Sequence, residues 1–182
     1  MRRCVFLDRD GVLVRAFPEG DTTRGPRTVD EIEILPGTRE ACRDLRAAGY
    51  RLVMVTNQPD VARGLITREA AEAICREVMY AIPLDAYYLC PHQGDWCACR
   101  KPRSGLIIQA AVEHELDLSR CWMVGDRETD MLAGEAAGCR TFKIETNQEI
   151  KEAVDAILSG DGPIETVAFT LPRGKGILVN GS

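Results

Sequence analysis

In Val5-Phe6-Leu7-Asp8-Arg9-Asp10-Gly11-Val12 an apolar run stops abruptly at two carboxylates and a glycine. Cys4–Leu7 reads as a buried strand, and a strand core gives no reason for Asp8 or Asp10 to follow it. In open parallel sheets ligands bind beyond the carboxyl ends of the strands, so acidic residues there point to a site. Two further strand ends are polar in the same way: Val53-Met54-Val55 runs into Thr56-Asn57-Gln58, and Met123-Val124 runs into Gly125-Asp126. Taken singly, Asp8 could sit in a solvated loop, Thr56 is a common turn residue and Asp126 a common helix cap. Together the three strand ends make a constellation.

The rest of the chain has the alternation needed to build such a sheet. Apolar runs at Cys4–Leu7, Arg51–Val55, Ala86–Leu89, Cys121–Val124 and Arg140–Ile144 alternate with amphipathic stretches, the pattern of parallel strands joined by crossover helices. Helices are expected from Pro36-Gly37-Thr38 to Gly49, from Thr67 as N-cap to Ala81 before Pro83, from Ser104 to about Leu116, and from Glu128 to Ala137 with Gly138 as the stop. The expected fold class is therefore α/β, a Rossmann-like parallel sheet of about five strands flanked by helices. Residues 1–146 make up the main domain. Residues 147–182, with a helix over Asn147–Leu158 and a Gly-rich tail, are expected to pack on that same domain.

Asp8-Arg9-Asp10-Gly11, Thr56, Lys101 and Gly125-Asp126-(x3)-Asp130 stand in the order of the four motifs of the haloacid dehalogenase superfamily, which the chain resembles over roughly residues 4–145. The resemblance implies a central first strand flanked by the second and fourth, and a phosphatase that forms an aspartyl-phosphate. Asp8 would be the nucleophile and Asp10 the proton shuttle. Thr56 would donate to the phosphoryl oxygens, and Lys101 would supply positive charge. Mg2+ would be held by Asp8, the backbone carbonyl of Asp10 and Asp126, since hard oxygen ligands suit it.

Cys90-Pro91-His92-Gln93-Gly94-Asp95-Trp96-Cys97-Ala98-Cys99 places three thiols and one imidazole within ten residues. Cys90, His92, Cys97 and Cys99 form a Cys3His set suited to tetrahedral Zn2+, with no position left for water, so the metal would be structural. A metal-free reduced loop is the alternative; Cys97-x-Cys99 lacks the spacing of the usual redox pair. The zinc-stapled loop would hold Arg100-Lys101-Pro102 at a fixed height.

This loop, with Arg100-Lys101-Pro102, Thr56-Asn57-Gln58 and Ala62-Arg63-Gly64, sharpens the resemblance to the branch containing heptose bisphosphate and histidinol-phosphate phosphatases. That branch implies substrate recognition by Arg100 and a phosphate site lined by Asn57; Gln58, Arg63 and Arg127 join them as candidate substrate-binding residues. Pro59-Asp60 and the four-residue gap between His92 and Cys97 depart from the longer heptose-enzyme form. Neither interval between motifs has room for a cap domain, so the site is expected to be open and bounded by loops near 17–27, 59–65 and 91–103. Arg24, Arg27, Arg63, Arg100, Arg103 and Arg127 could meet a second anionic group there. The resulting expectation is removal of the 7-phosphate of D-glycero-D-manno-heptose 1,7-bisphosphate. Histidinol phosphate is the alternative substrate, and a non-catalytic phosphate-binding protein the alternative class.

Composition bounds the partners. With 182 residues, 45% hydrophobic and 28% charged, the chain fits one compact domain, and a formal net charge of -5 with pI ≈ 5.2 argues against a broad basic surface for nucleic acid. No apolar stretch approaches the roughly 20 residues that span a bilayer, and the apolar run after Met1-Arg2-Arg3 is too short for a secretory leader. A cytoplasmic monomer with a small phosphorylated sugar or related metabolite as partner is expected, without membrane association. Cys4, Cys42, Cys75, Cys121 and Cys139 lie among apolar neighbours and read as small core residues rather than disulfide partners.

Overall fold

The computed structural model describes residues 2–94 and 96–160. Strand β1 (Cys4–Leu7) is followed by a short antiparallel hairpin, β2 (Phe17–Glu19) and β3 (Thr22–Arg24), and by helix α1 (Thr38–Ala47). Then come β4 (Arg51–Asn57), α2 (Pro59–Ala62), α3 (Arg68–Ala81) and β5 (Ala86–Cys90). The chain continues through α4 (Gly105–His114), β6 (Trp122–Gly125), α5 (Glu128–Ala137), β7 (Arg140–Lys143) and α6 (Lys151–Ser159). The main sheet has five strands in the order β5-β4-β1-β6-β7, every neighbouring pair parallel.

Burial on both faces explains why the strands read as continuous apolar runs. Side chains alternate across the sheet: Val5, Leu7, Leu52 and Met54 join the cluster on one face, while Cys4, Phe6, Val53 and Val55 join the other. The first face is covered by α1, α3 and α6 through residues such as Leu45, Val78 and Val154. The second is covered by α4 and α5 through Ile107, Ala110 and Ala133. The five scattered cysteines are all buried, as expected of core residues.

Local signals set the helix ends. Thr67 Oγ1 accepts from Ala70 N at 3.1 Å and starts α3. Gly138, at φ 86°, stops α5 in the left-handed region. The last helix departs from expectation, beginning at Lys151 rather than Asn147. Asn147 has φ 64°, and its amide group brackets Ala16, accepting from the backbone N at 2.7 Å and donating to the carbonyl at 2.9 Å. A residue tied into a left-handed turn cannot open a right-handed helix. Helix α6 nonetheless buries Ala153, Val154 and Ile157 in the same cluster as α1; the Gly-rich tail after Gly160 lies outside the described residues. Among the described residues no helix is long and apolar enough to cross a membrane.

The chain moves from β1 outward through β4 and β5, then returns to β6 and β7 on the other side of β1. This reversal opens a crevice at the carboxyl ends of β4, β1 and β6, with the β2–β3 hairpin forming part of its wall. Close packing of α5 keeps β6 in register beside it: a Cβ added at Gly134 would lie 2.7 Å from Met123 Cβ and 2.8 Å from Thr141 Cγ2. Gly134→Ala should therefore destabilise the protein by about 1–3 kcal/mol in denaturant unfolding through overpacking, despite alanine's better helix propensity.

Candidate active site

Asp8 is the first residue past β1, and its backbone N donates to Val124 O at 3.0 Å, which continues the sheet pairing by one residue. The residue is 7% exposed. Lys101, arriving from the loop after β5, donates through Nζ to Asp8 Oδ1 at 2.7 Å and to Val55 O at 2.9 Å. The same Nζ lies 2.5 Å from Asp130 Oδ1. Burial opposes its charge, but Asp130 and Asp8 together hold Lys101 above the ordinary lysine value. Burial pushes the Asp8 carboxyl up to about 7, with Lys101 pulling it down and Asp130 and Asp10 adding to the rise. A cation beside Asp8 would lower it again.

Asp130 also accepts from Arg127 N at 3.0 Å, reaching back over the first turn of α5 to satisfy a backbone donor at its start. It thus joins the helix to the buried lysine. Gly125 permits that approach, since a Cβ there would lie 2.2 Å from Asp130 Cβ. The sequence reading included Asp130 in a motif without a role of its own; its signal was the three-residue spacing after Asp126.

Asp10 faces the other side of the site. Arg9 Nε donates to its Oδ1 at 2.7 Å and Arg9 Nη2 to its Oδ2 at 3.1 Å, while Gln58 Nε2 donates to Oδ2 at 2.8 Å and reaches Thr56 Oγ1 at 2.8 Å. Thr56 is buried at the end of β4. Gly25, just past β3, leaves space for this carboxylate, because a Cβ there would be 2.4 Å from Asp10. Asn57 accepts from Lys101 N at 3.1 Å and donates to Lys101 O at 3.0 Å. Sequence reasoning grouped Asn57 and Gln58 with substrate-binding residues; both line the cleft, and both also brace catalytic candidates. Arg9 and Gly25 escaped it, because neither residue type at those positions carries a contact that can be read from spacing.

Asp126 supplies the test of a cation site. Its Oδ2 accepts from Thr146 Oγ1 at 2.6 Å, whereas its Oδ1 is buried and lacks a hydrogen-bond partner among the described residues. Burial raises its carboxyl, with Thr146 opposing the rise. Carboxylate oxygens of Asp8, Asp126 and Asp130 lie within 4.8 Å of one another. A buried carboxylate oxygen without a donor is costly, and a hard dication coordinated by oxygen would relieve it. Asp130 Oδ1 faces Lys101 and its Oδ2 accepts from Arg127 N, so Asp8 and Asp126 are the two that could hold Mg2+. Gly11, at φ 85°, passes close beneath: its Cβ would fall 2.6 Å from Asp126 Oδ2.

The second cluster brings Cys90, His92, Cys97 and Cys99 together, with all ligand atoms within 4.8 Å of one another. Cys90 Sγ lies 3.7 Å from Cys97 Sγ and 3.6 Å from His92 Nδ1, and His92 Nδ1 lies 3.3 Å from Cys99 Sγ. Thiolates at about 2.3 Å from a tetrahedral zinc are roughly 3.8 Å apart; Cys90 and Cys97 match that spacing, Cys90 Sγ and Cys99 Sγ stand closer at 3.1 Å, and the donor set is the one that ion takes. Gly105 N donates to Ala98 O at 3.1 Å, and Arg103 Nη1 donates to Cys97 O at 3.0 Å, which fastens the loop to the start of α4.

Between these features lies a cleft of about 440 Å3, walled by the hairpin, by the segment from Asn57 to Arg63, by Arg100 and Lys101, and by Arg127 to Asp130. The loops expected to bound the site do so. The arginines are not equivalent. Arg24 is held by Glu31 at 2.8 Å, Arg27 by Asp60 at 2.8 Å and Glu19 at 2.8 Å, and Arg63 reaches Asp60 at 3.3 Å. Arg100 donates only to His92 O at 3.2 Å, and Arg127 to Thr23 O and Oγ1 at 3.3 and 2.9 Å. Among the described residues neither of these two pairs with a carboxylate.

Comparison with known proteins agrees with this geometry. The HAD-hydrolase-like family model matches residues 98–167. The D-glycero-beta-D-manno-heptose-1,7-bisphosphate 7-phosphatase of Pasteurella multocida is 34% identical over 165 residues, covering 84% of this chain and 86% of the relative. Its Haemophilus influenzae counterpart is 31% identical over 188 residues, covering 95% and 96%. The crystal structure of D,D-heptose 1,7-bisphosphate phosphatase from B. bronchiseptica, complexed with magnesium and phosphate, superposes with TM-score 0.70 at 32% identity, covering 90% of this chain and 89% of that one. With such identity across most of its length, and with the motif residues gathered at one crevice, the chain is a phosphatase belonging to the D-glycero-D-manno-heptose-1,7-bisphosphate 7-phosphatase family of HAD-like hydrolases.

Proposed function

We propose that this protein removes the 7-phosphate of D-glycero-D-manno-heptose 1,7-bisphosphate, with Asp8 as the nucleophile and Asp10 as acid and base. The observation that carries the mechanism is the closeness of Asp8 to Asp126, whose buried Oδ1 lacks a partner among the described residues, beside an ammonium that bridges Asp8 and Asp130.

Asp8 attacks phosphorus in line. A new bond forms from its carboxylate oxygen to phosphorus as the bond to the sugar oxygen breaks, and Asp10 gives that oxygen a proton. Asp10 then takes a proton from the water that attacks the aspartyl-phosphate, and inorganic phosphate leaves with Asp8 restored. Thr56 and Lys101 orient the phosphoryl group. Asp8, Asp126 and the Asp10 carbonyl would hold Mg2+, whose charge would offset repulsion between carboxylate and phosphate.

The substrate reading rests on the relatives and on the cleft wall. Of the carboxylates on its outer wall, Glu19 and Asp60 are already paired with arginines and Glu128 lies 3.6 Å from Lys143, which leaves Glu128 as the more accessible partner for an ammonium group such as that of histidinol phosphate. Arg100 and Arg127 retain guanidinium donors for a second phosphate. The Cys3His loop serves a structural zinc that sets the position of Arg100 and Lys101. We also propose a cytoplasmic monomer, a reading supported on the compartment side by eight unbridged cysteines.

Asp8→Asn should abolish Mg2+-dependent phosphate release while leaving the fold intact by circular dichroism; activity equal to wild type would refute the nucleophile. Arg100→Ala should reduce kcat/KM for heptose bisphosphate by roughly 10–100-fold, the worth of one or two charged hydrogen bonds, with histidinol phosphate a poor substrate throughout. Elemental analysis should find close to one zinc per chain, and the Cys97→Ser, Cys99→Ser double variant should lose it together with thermal stability; a zinc-free wild-type protein of full activity would remove the structural role.

A further inference from the structure

We propose that Arg9 is the positioning residue of the proton shuttle, holding the Asp10 carboxylate in the orientation that both proton transfers need. This extends the reading of Asp10 as acid and base and rests on it.

Arg9 follows Asp8 directly, yet it is withdrawn from the cleft and fully buried, 0% exposed, among the largest side chains enclosed by the protein. Its Nε and Nη2 take the two oxygens of Asp10 at 2.7 and 3.1 Å, and its Nη1 donates to Cys75 Sγ in α3 at 3.6 Å. A planar guanidinium fork fixes the plane of a carboxylate, whereas a single donor leaves it free to turn. Gln58 Nε2, carried at the end of β4, adds a donor to Oδ2 at 2.8 Å. Gly25, just past β3, packs against the same carboxylate, with no space for a Cβ between them.

Stability does not account for this arrangement. Replacing a buried ion pair with well-packed apolar groups is often neutral or stabilising. The ionic partner of Arg9 is its immediate neighbour in the chain, so the pair contributes little to joining distant elements. What the pair does hold is the plane of Asp10. Since Oδ2 accepts from Arg9 and Gln58 and Oδ1 from Arg9 alone, Oδ1 keeps a lone pair for the proton. As the sugar–phosphate bond breaks, that proton passes from Oδ1 to the departing oxygen; it is replaced from the attacking water in the second half. Arg9 stays charged throughout and exchanges no proton.

The test separates positioning from folding through the leaving group. Since kcat/KM covers the steps up to departure of the leaving group, a proton donor matters greatly for a sugar alkoxide and little for 4-nitrophenolate. Arg9→Met should lower kcat/KM for heptose bisphosphate roughly 100-fold and for 4-nitrophenyl phosphate by less than about 5-fold, within the range general acid catalysis supplies. Arg9→Lys, which retains the charge but offers one point donor, should give an intermediate ratio and serves if the methionine variant does not fold. Asp10→Asn, measured beside them, should show the same selectivity more strongly. Equal losses with both substrates, or no loss, in Arg9→Lys and any folded Arg9→Met would overturn the positioning role while Asp10→Asn remained selective. An unselective Asp10→Asn would instead overturn the shuttle reading on which it rests.

Discussion

One ammonium group, Lys101 Nζ, ties the site together. It is enclosed at the junction of four segments, touching Asp8 after β1, Val55 within β4 and Asp130 in α5 from its own place in the loop after β5. A buried cation is tolerated only where its charge is met and its hydrogen bonds are satisfied, and here Asp8 and Asp130 meet the charge while Val55 O takes a further hydrogen bond. Three acidic groups within 4.8 Å of one another would otherwise repel strongly in a medium of reduced dielectric. Lys101 offsets part of that repulsion, and the oxygen of Asp126 that lacks a partner among the described residues marks where a dication could offset the rest.

The position of Lys101 is set from outside the sheet. Asn57 clamps both polar groups of its peptide backbone, and the Cys3His loop precedes it directly. That loop brings little apolar surface of its own: Trp96 is 73% exposed and meets His92 in a tilted contact at 4.7 Å between ring centroids. Metal coordination is the stronger source of order for such a segment. The Cys3His cluster and the crevice are thus coupled through a few residues of backbone, with Arg100 at the junction.

Charge pairing also shapes the cleft. Arg24 and Arg27 spend their guanidinium groups on Glu31, Glu19 and Asp60, joining the hairpin to the segment after β4. Pairs of this exposure contribute little to stability singly, so their importance lies in which arginines they withdraw from the substrate and which they leave. Asp60, at a position where the chain departs from the longer heptose-enzyme form, is one of the residues that makes this division.

Much of this was legible in the sequence. Apolar runs with period-two burial on both faces set five parallel strands, glycines and threonines set helix ends, and carboxylates at strand ends located the crevice; these features depend on neighbours in the chain. The Cys3His set was readable for the same reason, since its four ligands lie within ten residues. The start of the last helix was not, because Asn147 is held by Ala16 and Gly11, far away in the chain. Nor could spacing reveal that Gln58 braces Asp10, that Asp130 spends its charge on Lys101, or that Arg9 turns inward to hold the carboxylate beside it. Residue types and order determined which chemistry was available. Only the tertiary structure decided which polar group each one meets, because a buried donor or acceptor must be satisfied by whatever the packing brings within about 3 Å.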